Sequence, residues 1–338
     1  MPSDEEEDKS KKELIFRHVD IFSKDLHGEE AKRIISREDA EKQKSQRLTF
    51  YVNGITPDNA KITISMGNEK LGYLPNFNLP ARSFIWNGQR VVTCPGASLL
   101  CRYVCYAQKG AYVQSTDIPI EYVANYAASL RDDFVTSMIA SIKKAEDDND
   151  QLWIKHYNRC PQVKLFRLHT SGDFYSAEYA RKWLKIAEKL PYVHFYVYTK
   201  AWIRFSKDED VADIEMTAAE VNAINDEIMD VLREVNALPN FQVLLSTDRT
   251  TGPVPDELLN AGFKEAGIDS TYAKREEGRR VAMCLYQTTL RTALMDPDNK
   301  GKSTEQLIKQ GDVTTCNACG FCWDKIQYKD LNVFFKEH

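Results

Sequence analysis

Two features are missing from this sequence: a long apolar run and an excess of basic residues. No stretch approaches the ~20 apolar residues that a membrane-spanning helix needs, and the first residues, Met1 to Lys9, contain no apolar signal-peptide core. The formal net charge is −5, so the chain carries no general electrostatic footprint for nucleic acid and at most a local basic patch. These absences predict a cytoplasmic protein that does not interact with a membrane.

Cysteine is the residue type whose distribution carries the most information. A chain of 338 residues can bury enough apolar surface to fold without disulfides. Most of its eight cysteines fall in two short stretches, which in a reducing cytosol indicates metal binding rather than disulfide bonds. Cys160, directly before a predicted strand, is interpreted as a structural residue.

The first stretch is a loop that follows a short apolar strand. Cys94, Cys101 and Cys105 fall within twelve residues, and closely spaced thiolates are typical ligands of zinc and of iron–sulfur clusters. A closed structural zinc site needs four ligands, whereas a [4Fe–4S] cluster held by three cysteines keeps one iron open. The alternative is that the three are small, buried core residues. The Pro95-Gly96 pair favours a loop that closes around a metal.

The second stretch lies near the end of the sequence. Cys316, Cys319 and Cys322 have the C-x2-C-x2-C spacing that is typical of iron–sulfur ligation. Cys284, which ends an apolar run, is the natural fourth ligand, although His169 could serve instead. Zinc is the alternative metal at this C-terminal site.

The rest of the chain predicts strands that alternate with helices. A hairpin is expected from the β-rich runs 48–52 and 61–66, and one long helix over 123–142 is expected to end at the acidic cluster 147–150. Further strands are predicted at 163–169, 193–199, 241–245 and 281–283, and further helices after Ser176 and after the capping-box pair Thr217 and Glu220.

Strands that alternate with helices form βαβ units and require a parallel sheet, either an open doubly wound sheet or a full or partial barrel. Four segments are expected. They are a charged, partly disordered segment 1–45, a β-hairpin and extended lead-in 46–90, a (β/α) core 91–282 and a cysteine-rich segment 283–338.

Polar clusters come directly after the predicted strands. Because the carboxyl ends of parallel strands meet at one edge of a sheet, we expect them to converge with the cysteine loop. Strand alternation also predicts that Arg167 and His169 share a face and line this site. The clusters are Ser171-Gly172-Asp173, Thr199-Lys200 and Ser246 to Arg249, and the catalytic candidates are Arg167, His169, Lys200 and Arg249.

The motifs together resemble a phage protein family, the mycobacteriophage gene-product-88-like proteins, over roughly residues 67–325. The motifs that carry the resemblance are Thr93 to Ala107, Arg167 to Phe174, Tyr198-Thr199-Lys200 and Cys316 to Trp323. The family name implies no particular activity. If the chain is encoded by a phage, the expected location is the host cytoplasm.

More remotely, the layout is similar to the radical SAM enzymes, which cleave S-adenosylmethionine (SAM) at an iron–sulfur cluster. This resemblance implies a partial (β/α) barrel with an N-terminal β-hairpin extension and a small C-terminal cysteine-rich cluster segment. It implies that SAM binds a [4Fe–4S] cluster held by the cysteine loop, with Ser171, Gly172 and Asp173 at its amino group and Ser246 and Asp248 at its ribose.

The function so implied is the generation of a 5′-deoxyadenosyl radical that modifies an unknown substrate. It would use one or two [4Fe–4S] clusters, SAM, and an electron donor such as flavodoxin or ferredoxin. The protein contributes the positioning and the cofactor contributes the chemistry.

Two other functions stay open. In one, the chain is a phage interaction protein in which both cysteine groups bind zinc for folding alone. In the other, it processes nucleic acid without redox chemistry, through basic residues that interleave with aromatic ones. The residues concerned are Lys200, Arg204, Lys207 and 274–280, with Tyr198, Trp202 and Phe205.

Overall fold

A computed structural model describes residues 14–17, 49–68, 72–108, 117–248, 250–268 and 280–335. The strands in this part are β1 (Leu14–Arg17), β2 (Thr49–Val52), β3 (Asn76–Phe77), β4 (Ser83–Trp86), β5 (Gln89–Val92), β6 (Lys164–Leu168), β7 (Val193–Thr199), β8 (Phe241–Thr247), β9 (Lys264–Gly267), β10 (Arg280–Met283) and β11 (Leu331–Phe334). The α-helices there are α1 (Leu99–Val104), α2 (Asp117–Ser129), α3 (Phe134–Tyr157), α4 (Ala177–Lys189), α5 (Ala218–Ala237), α6 (Asp256–Asn260), α7 (Leu285–Met295), α8 (Thr304–Gln310) and α9 (Cys316–Cys319).

Seven of the strands form one parallel sheet with the order β3-β6-β7-β8-β9-β11-β10. The first five follow the order of the chain, as consecutive βαβ units do. The last two are exchanged, because β11 pairs between β9 and β10. The predicted α/β class with a parallel sheet is therefore confirmed.

The main helices begin where their local sequence predicts. Ser176 Oγ accepts a hydrogen bond from Tyr179 N at 3.2 Å and caps α4. Thr217 and Glu220 form the predicted capping box of α5, because each side chain accepts a hydrogen bond from the backbone of the other residue. These contacts satisfy amide groups that a helix start leaves without intrahelical partners.

The predicted N-terminal hairpin is wrong. Within 61–66 the structure has only an isolated bridge from Ser65 to Asn76. Instead, β2 pairs with β1 and β4, and the observed hairpin is β4–β5. Its turn residues Asn87 and Gly88 both have positive φ, the conformation that a two-residue turn of type I′ requires.

The predicted single helix over 123–142 is also wrong, because α2 and α3 are separate. Arg131, between them, donates to Asp133 at 2.7 Å and to the Ala60 carbonyl at 2.8 Å. Helix α3 then continues through the acidic cluster to Tyr157, since Trp153 and Tyr157 are buried against other parts of the chain. Tertiary packing outweighs the local charge pattern.

The two faces of the sheet are covered differently. On one face, Val193, Phe195 and Val197 of β7 pack in the main core with helices α2 to α5. On the other, called the inner face below, Tyr196 packs with Trp323 and with apolar residues of β6 and β8. The cysteine-rich segment therefore covers the face opposite the helices.

The segments predicted at 91–282 and 283–338 share one sheet, because β10 belongs to the first and β11 to the second. Helices α7 and α8 pack against the end of α3 through Tyr286, Leu307 and Ile308. The helix predicted to be polar over 29–47 lies outside the described residues. In the described ranges, no helix has both the length and the apolar content that crossing a bilayer requires.

Candidate metal centres

The three-cysteine loop starts where β5 ends and is tied to the segment before β4. Cys94 N donates to the Arg82 carbonyl, and Arg82 N donates to Cys94 Sγ, each at 3.2 Å. Gly96 lies so close to the end of β7 that a Cβ there would collide with the Lys200 carbonyl. The glycine is therefore needed for the loop to pass the end of that strand.

Cys94, Cys101 and Cys105 form one group, called the first thiol group below. Cys101 and Cys105 are four residues apart and so lie on one side of α1. They share a hydrogen bond that lowers the pKa of Cys101 and raises that of Cys105. Burial, followed by the charges of Asp173 and Cys101, raises the pKa of Cys94.

This donor chemistry suits a metal. Thiols with raised pKa values stay protonated at neutral pH unless a cation displaces the proton, and metal binding does so. Because Cys101 already has a lowered pKa, one thiolate forms readily. The group offers three sulfur ligands to a zinc ion or to an iron–sulfur cluster, and a complete four-ligand set would need another donor.

The structure brings the predicted strand-end residues together beside this group. Lys200 Nζ donates to Asp248 Oδ2 at 2.8 Å, and Lys200 N donates to Asp173 Oδ2 at 2.9 Å. Ser98 Oγ, which caps α1, donates to Asp248 Oδ2 at 2.5 Å. The carboxyl ends of β6, β7 and β8 and the cysteine loop thus meet at one edge of the sheet.

Both carboxylates are engaged by the protein. Burial acts to raise the pKa of Asp248, but Lys200 and hydrogen bonds from Lys200, Ser98 and Thr250 bring it down to about 2. Burial raises the pKa of Asp173 to about 6, although backbone amides donate to both of its oxygens. These contacts make Asp173 and Asp248 anchors that hold the loop ends together.

Two buried arginines also lie at the cysteine loop. Arg82 forms an ion pair with Asp213, and Arg102 Nη1 lies 3.7 Å from the second oxygen of the same carboxylate. Nε and Nη1 of Arg82 are buried and have no hydrogen-bond partner among the described residues. The Arg82 charge lowers the pKa of Cys94 and of Cys101, so it favours thiolates in the first thiol group.

His169 does not share a face with Arg167. Its φ of 57° ends the strand alternation, and its ring packs against Phe174 and Tyr179 of the main core. Nε2 lies 2.9 Å from the Tyr179 hydroxyl, and burial lowers the pKa of His169 to about 3. His169 is therefore a neutral core residue.

The other predicted residues of this edge have varied surroundings. Ser171 Oγ is buried without a hydrogen-bond partner among the described residues. Gly172 has a φ of 81° and faces Leu79, which a Cβ would meet. The Ser246 carbonyl accepts from Trp202 Nε1 at 3.1 Å. Arg249 lies outside the described residues.

The second thiol group is formed by Cys284, Cys316, Cys319 and Cys322. Burial raises the pKa of Cys316, Cys319 and Cys322 to about 12, and each also responds to the charge of Cys284. Cys284 directly follows β10, and β10 pairs with β11, the strand that comes after Cys316, Cys319 and Cys322 in the sequence. The structure therefore brings the expected fourth ligand to the other three.

Polar residues of the inner face contact the second thiol group. The Tyr198 hydroxyl donates to Cys322 Sγ at 3.0 Å, and the Arg167 guanidinium lies 5.0 Å from the centre of the Tyr198 ring. Lys264 Nζ donates to the Phe321 carbonyl at 3.1 Å. Arg167 thus lies at the second thiol group, not at the first.

Neither group has the geometry of a loaded single-ion site. Among the described residues, no three His, Cys, Asp or Glu side chains surround a common point closely enough to hold one metal ion as they stand. Within each group the thiols are close enough to shift one another's pKa values, and Cys101 and Cys105 also share a hydrogen bond. Cys160 is exposed and belongs to neither group.

The two groups lie close to the same strand. Tyr198 of β7 contacts Cys322, and Lys200, directly after β7, lowers the pKa of Cys101. Because a strand rises about 3.3 Å per residue, Tyr198 and Lys200 are about 7 Å apart along the chain direction. The end of β7 therefore lies near both thiol groups.

Several residues of the site have no signal in the sequence. Arg82, Asp213 and Lys264 are buried charges that only the folded chain brings to the cysteines. Ser98 could have been recognised from the sequence, since a serine directly before the first residue of a helix is a capping signal. Its hydrogen bond to Asp248 could not have been recognised, because the two residues are 150 positions apart in the sequence.

Comparison with known proteins supports the family resemblance. The Gene product 88 family profile matches residues 53–325, a range that contains both thiol groups. The Gene 88 protein of Mycobacterium phage L5 is 26% identical over 256 residues, 76% of this chain and 85% of the relative. The Gene 88 protein of Mycobacterium phage D29 is 25% identical over 256 residues, with the same two shares.

No solved structure matches the chain. The more remote resemblance to radical SAM enzymes finds no support in these comparisons and stays a hypothesis. The predicted resemblance to the phage family is confirmed, because the family profile spans most of the sequence. This chain belongs to the Gene product 88 family.

Proposed function

We propose that this protein is an iron–sulfur enzyme of the radical SAM type, in which the first thiol group holds a [4Fe–4S] cluster with one open iron. The observation that carries the proposal is the meeting of Cys94, Cys101 and Cys105 in one group. Three sulfur ligands leave a four-ligand set one ligand short. Parallel α/β sheets bind ligands at the edge where this group lies.

A partial (β/α) barrel is part of the proposal. The strands β3, β6, β7, β8 and β9 are neighbours in chain order, and the helices between them pack in the core of one face. In a (β/α) barrel, too, neighbouring strands follow the order of the chain, with a helix after each strand. The exchange of β10 and β11 would then be a departure at the end of the barrel.

When bound, such a cluster would supply one electron to cleave SAM, and the protein would supply position and charge. Arg82 and Lys200 would offset the negative charge of the thiolates, as their effects on the cysteine pKa values suggest. Asp173 and Asp248 would keep the loop ends in place. Ser171 Oγ, buried and without a partner among the described residues, has its donor and acceptor available for SAM.

The second thiol group would hold a second cluster that passes electrons from a donor such as flavodoxin or ferredoxin. Zinc is the alternative there, because four cysteines complete a structural zinc site without any other ligand. The burial of this group against the inner face suits either metal. In the zinc case the group would contribute folding stability alone.

Nucleic-acid processing is not favoured by the described side chains. Lys200 and Arg204 form ion pairs with Asp248 and Asp226, and Trp202 is buried. Binding to single strands needs exposed aromatic and basic groups. Residues 274–279 of the expected basic patch lie outside the described residues.

The test is to purify the protein without oxygen and to count iron, acid-labile sulfide and zinc per chain. Cys101→Ala should remove the metal of the first group alone, and Cys322→Ala that of the second alone. Cys160→Ala is the matched control and should keep both. Stoichiometric zinc without sulfide in the wild type would contradict the enzyme proposal, and loss of all metal in Cys101→Ala would mean that the groups share one site.

SAM use has its own test. Adding SAM and dithionite to the loaded protein should change the EPR spectrum of the cluster and release 5′-deoxyadenosine. Ser171→Ala should weaken the SAM-dependent change, since it removes the available hydroxyl. An unchanged spectrum in the wild type would mean that the open iron takes another ligand, and the SAM step would be dropped.

A further inference from the structure

The inner face of the sheet carries an apolar cluster next to the second thiol group. Leu165, Tyr196, Leu244 and Ala266 form its buried core with Trp323. Arg167 and Lys264 belong to strands of the same sheet and bring two positive charges to this face. Of the two, Lys264 is the buried one, and a buried cation is costly unless an anion or a set of acceptors compensates it.

Lys264 is the clearest case. It is 1% exposed, and its ammonium donates to the Phe321 carbonyl, directly before Cys322, at 3.1 Å. No carboxylate lies within ion-pair distance of it among the described residues. The charges that favour its protonated form are those of Cys322 first, then of Asp324 and Asp330. The structure therefore places the Lys264 ammonium next to Cys322, whose sulfur becomes negatively charged when a metal displaces its proton.

Tyr198 and Arg167 act on the same thiols. The Tyr198 hydroxyl donates to Cys322 Sγ at 3.0 Å. Arg167 lies over the Tyr198 ring at 5.0 Å, and its charge, with a hydrogen bond from Tyr196, acts to lower the pKa of Cys316. Two tyrosine hydroxyls and two cations thus act on two of the four cysteines, Cys316 and Cys322.

Charge balance explains how these contacts stabilise a loaded second thiol group. Four thiolates carry four negative charges, and a zinc ion or the core of an oxidised [4Fe–4S] cluster returns two positive ones. A loaded second group would therefore carry about two negative charges in a buried place, and Arg167 and Lys264 supply two positive charges. Outer hydrogen bonds and charges of this kind orient and stabilise metal ligands.

We propose that Tyr198, Arg167 and Lys264 are the positioning residues that retain the metal of the second thiol group, with Tyr198 donating to the Cys322 thiolate. This inference rests on the proposed metal binding, but it holds for zinc and for an iron–sulfur cluster alike. Removing the Tyr198 hydroxyl or the Lys264 charge lowers the stability of the loaded group relative to its protonated, empty form.

The test compares the rate at which a chelator removes metal from the full-length protein. Tyr198→Phe and Lys264→Met should each release the metal of the second group about 10-fold faster or more. Lys264→Arg should restore retention. Tyr175→Phe is the matched control, because it removes a buried tyrosine hydroxyl bonded to Ser129 at 2.7 Å on the other face and should leave the rate unchanged.

The same measurements in Cys101→Ala chains follow the second group alone. If Lys264→Met fails to fold, Tyr198→Phe, which removes one atom, decides the question. Wild-type rates in folded Tyr198→Phe would overturn the inference and leave the proposed metal binding intact. A wild-type chain with no metal at the second group would overturn the proposed binding there, and the inference with it.

Discussion

Lys200 Nζ donates to Asp248 Oδ2 at 2.8 Å and joins the carboxyl ends of β7 and β8 beside the three-cysteine loop. The side chain of Asp248 is 1% exposed and that of Lys200 11%. Ser98 Oγ donates to the same oxygen, so a single carboxylate oxygen connects both strand ends with the start of α1. This contact holds the first thiol group in place.

Lys200→Met should destabilise the protein strongly. Removing one partner of a buried ion pair leaves the other charge uncompensated, which costs about 3–5 kcal/mol. Urea unfolding measures the change in the free energy of unfolding. Arg233→Met is the control, because its pair with Asp230 at 2.9 Å is exposed and such pairs contribute about 0–1 kcal/mol. Equal effects of the two variants would contradict the anchoring role.

Asp248→Asn should show a pH dependence of defined sign. The pKa of Asp248 falls from 3.8 to about 2 in the folded state, so its ionised form stabilises the fold by about 2–3 kcal/mol above pH 4. That contribution is lost as the pH falls from about 4 to about 2. The difference in the free energy of unfolding between wild type and Asp248→Asn, measured by urea unfolding at each pH, should become smaller as the pH falls through this range. A gap that does not change with pH would argue against an ionised, paired Asp248.

Comparing Gly172→Ala with Gly88→Ala separates the destabilisation due to a positive φ from the destabilisation due to a steric collision. Both glycines have positive φ, which costs a residue with a Cβ about 1–2 kcal/mol. A Cβ on Gly88 meets nothing within 4 Å, whereas one on Gly172 meets Leu79, and overpacking adds about 1–3 kcal/mol. Thermal unfolding should therefore rank Gly172→Ala as the less stable variant. The reverse order would mean that the turn before Asp173 can relax away from Leu79.

Lys325→Met should loosen the cysteine-rich segment from the end of α5. The ammonium of Lys325 donates to the Asn236 carbonyl and, at 3.1 Å each, to those of Leu238 and Phe241. Losing hydrogen bonds from a charged donor costs about 1.5–3 kcal/mol. Amide hydrogen exchange over 316–330 should become faster. Lys329→Met, an exposed change in the same segment, should leave the exchange unchanged.

Local signals predicted part of the fold correctly. The caps at Ser176 and Thr217 start α4 and α5 as expected, since a cap depends on residues within one helical turn. The missed hairpin also had a local signal, Asn87-Gly88, whereas the predicted hairpin had its turn between the runs 48–52 and 61–66. The acidic cluster 147–150 was misleading because buried Trp153 and Tyr157 keep α3 helical beyond it.

Long-range contacts could not be predicted in the same way. The turn to positive φ at His169 moves its ring from the expected face into the core, and nothing in the neighbouring residues indicates this. Arg82 and Asp213 pair across 131 positions of sequence. Whether a carboxylate is available for a ligand or already engaged, as for Asp173 and Asp248, depends on partners brought together by the whole sheet.

The sequence by itself determined the helix starts at Ser176 and Thr217, the alternation of strands with helices, and the spacing that sets Cys94, Cys101 and Cys105 apart from Cys316, Cys319 and Cys322, because spacing and periodicity act within a few residues. The tertiary structure alone decided that the cysteine-rich segment covers the inner face, that the end of β7 lies near both groups, and that buried charges act on them. Those features arise from packing and from the need to compensate buried charge, which depend on residues distant in sequence.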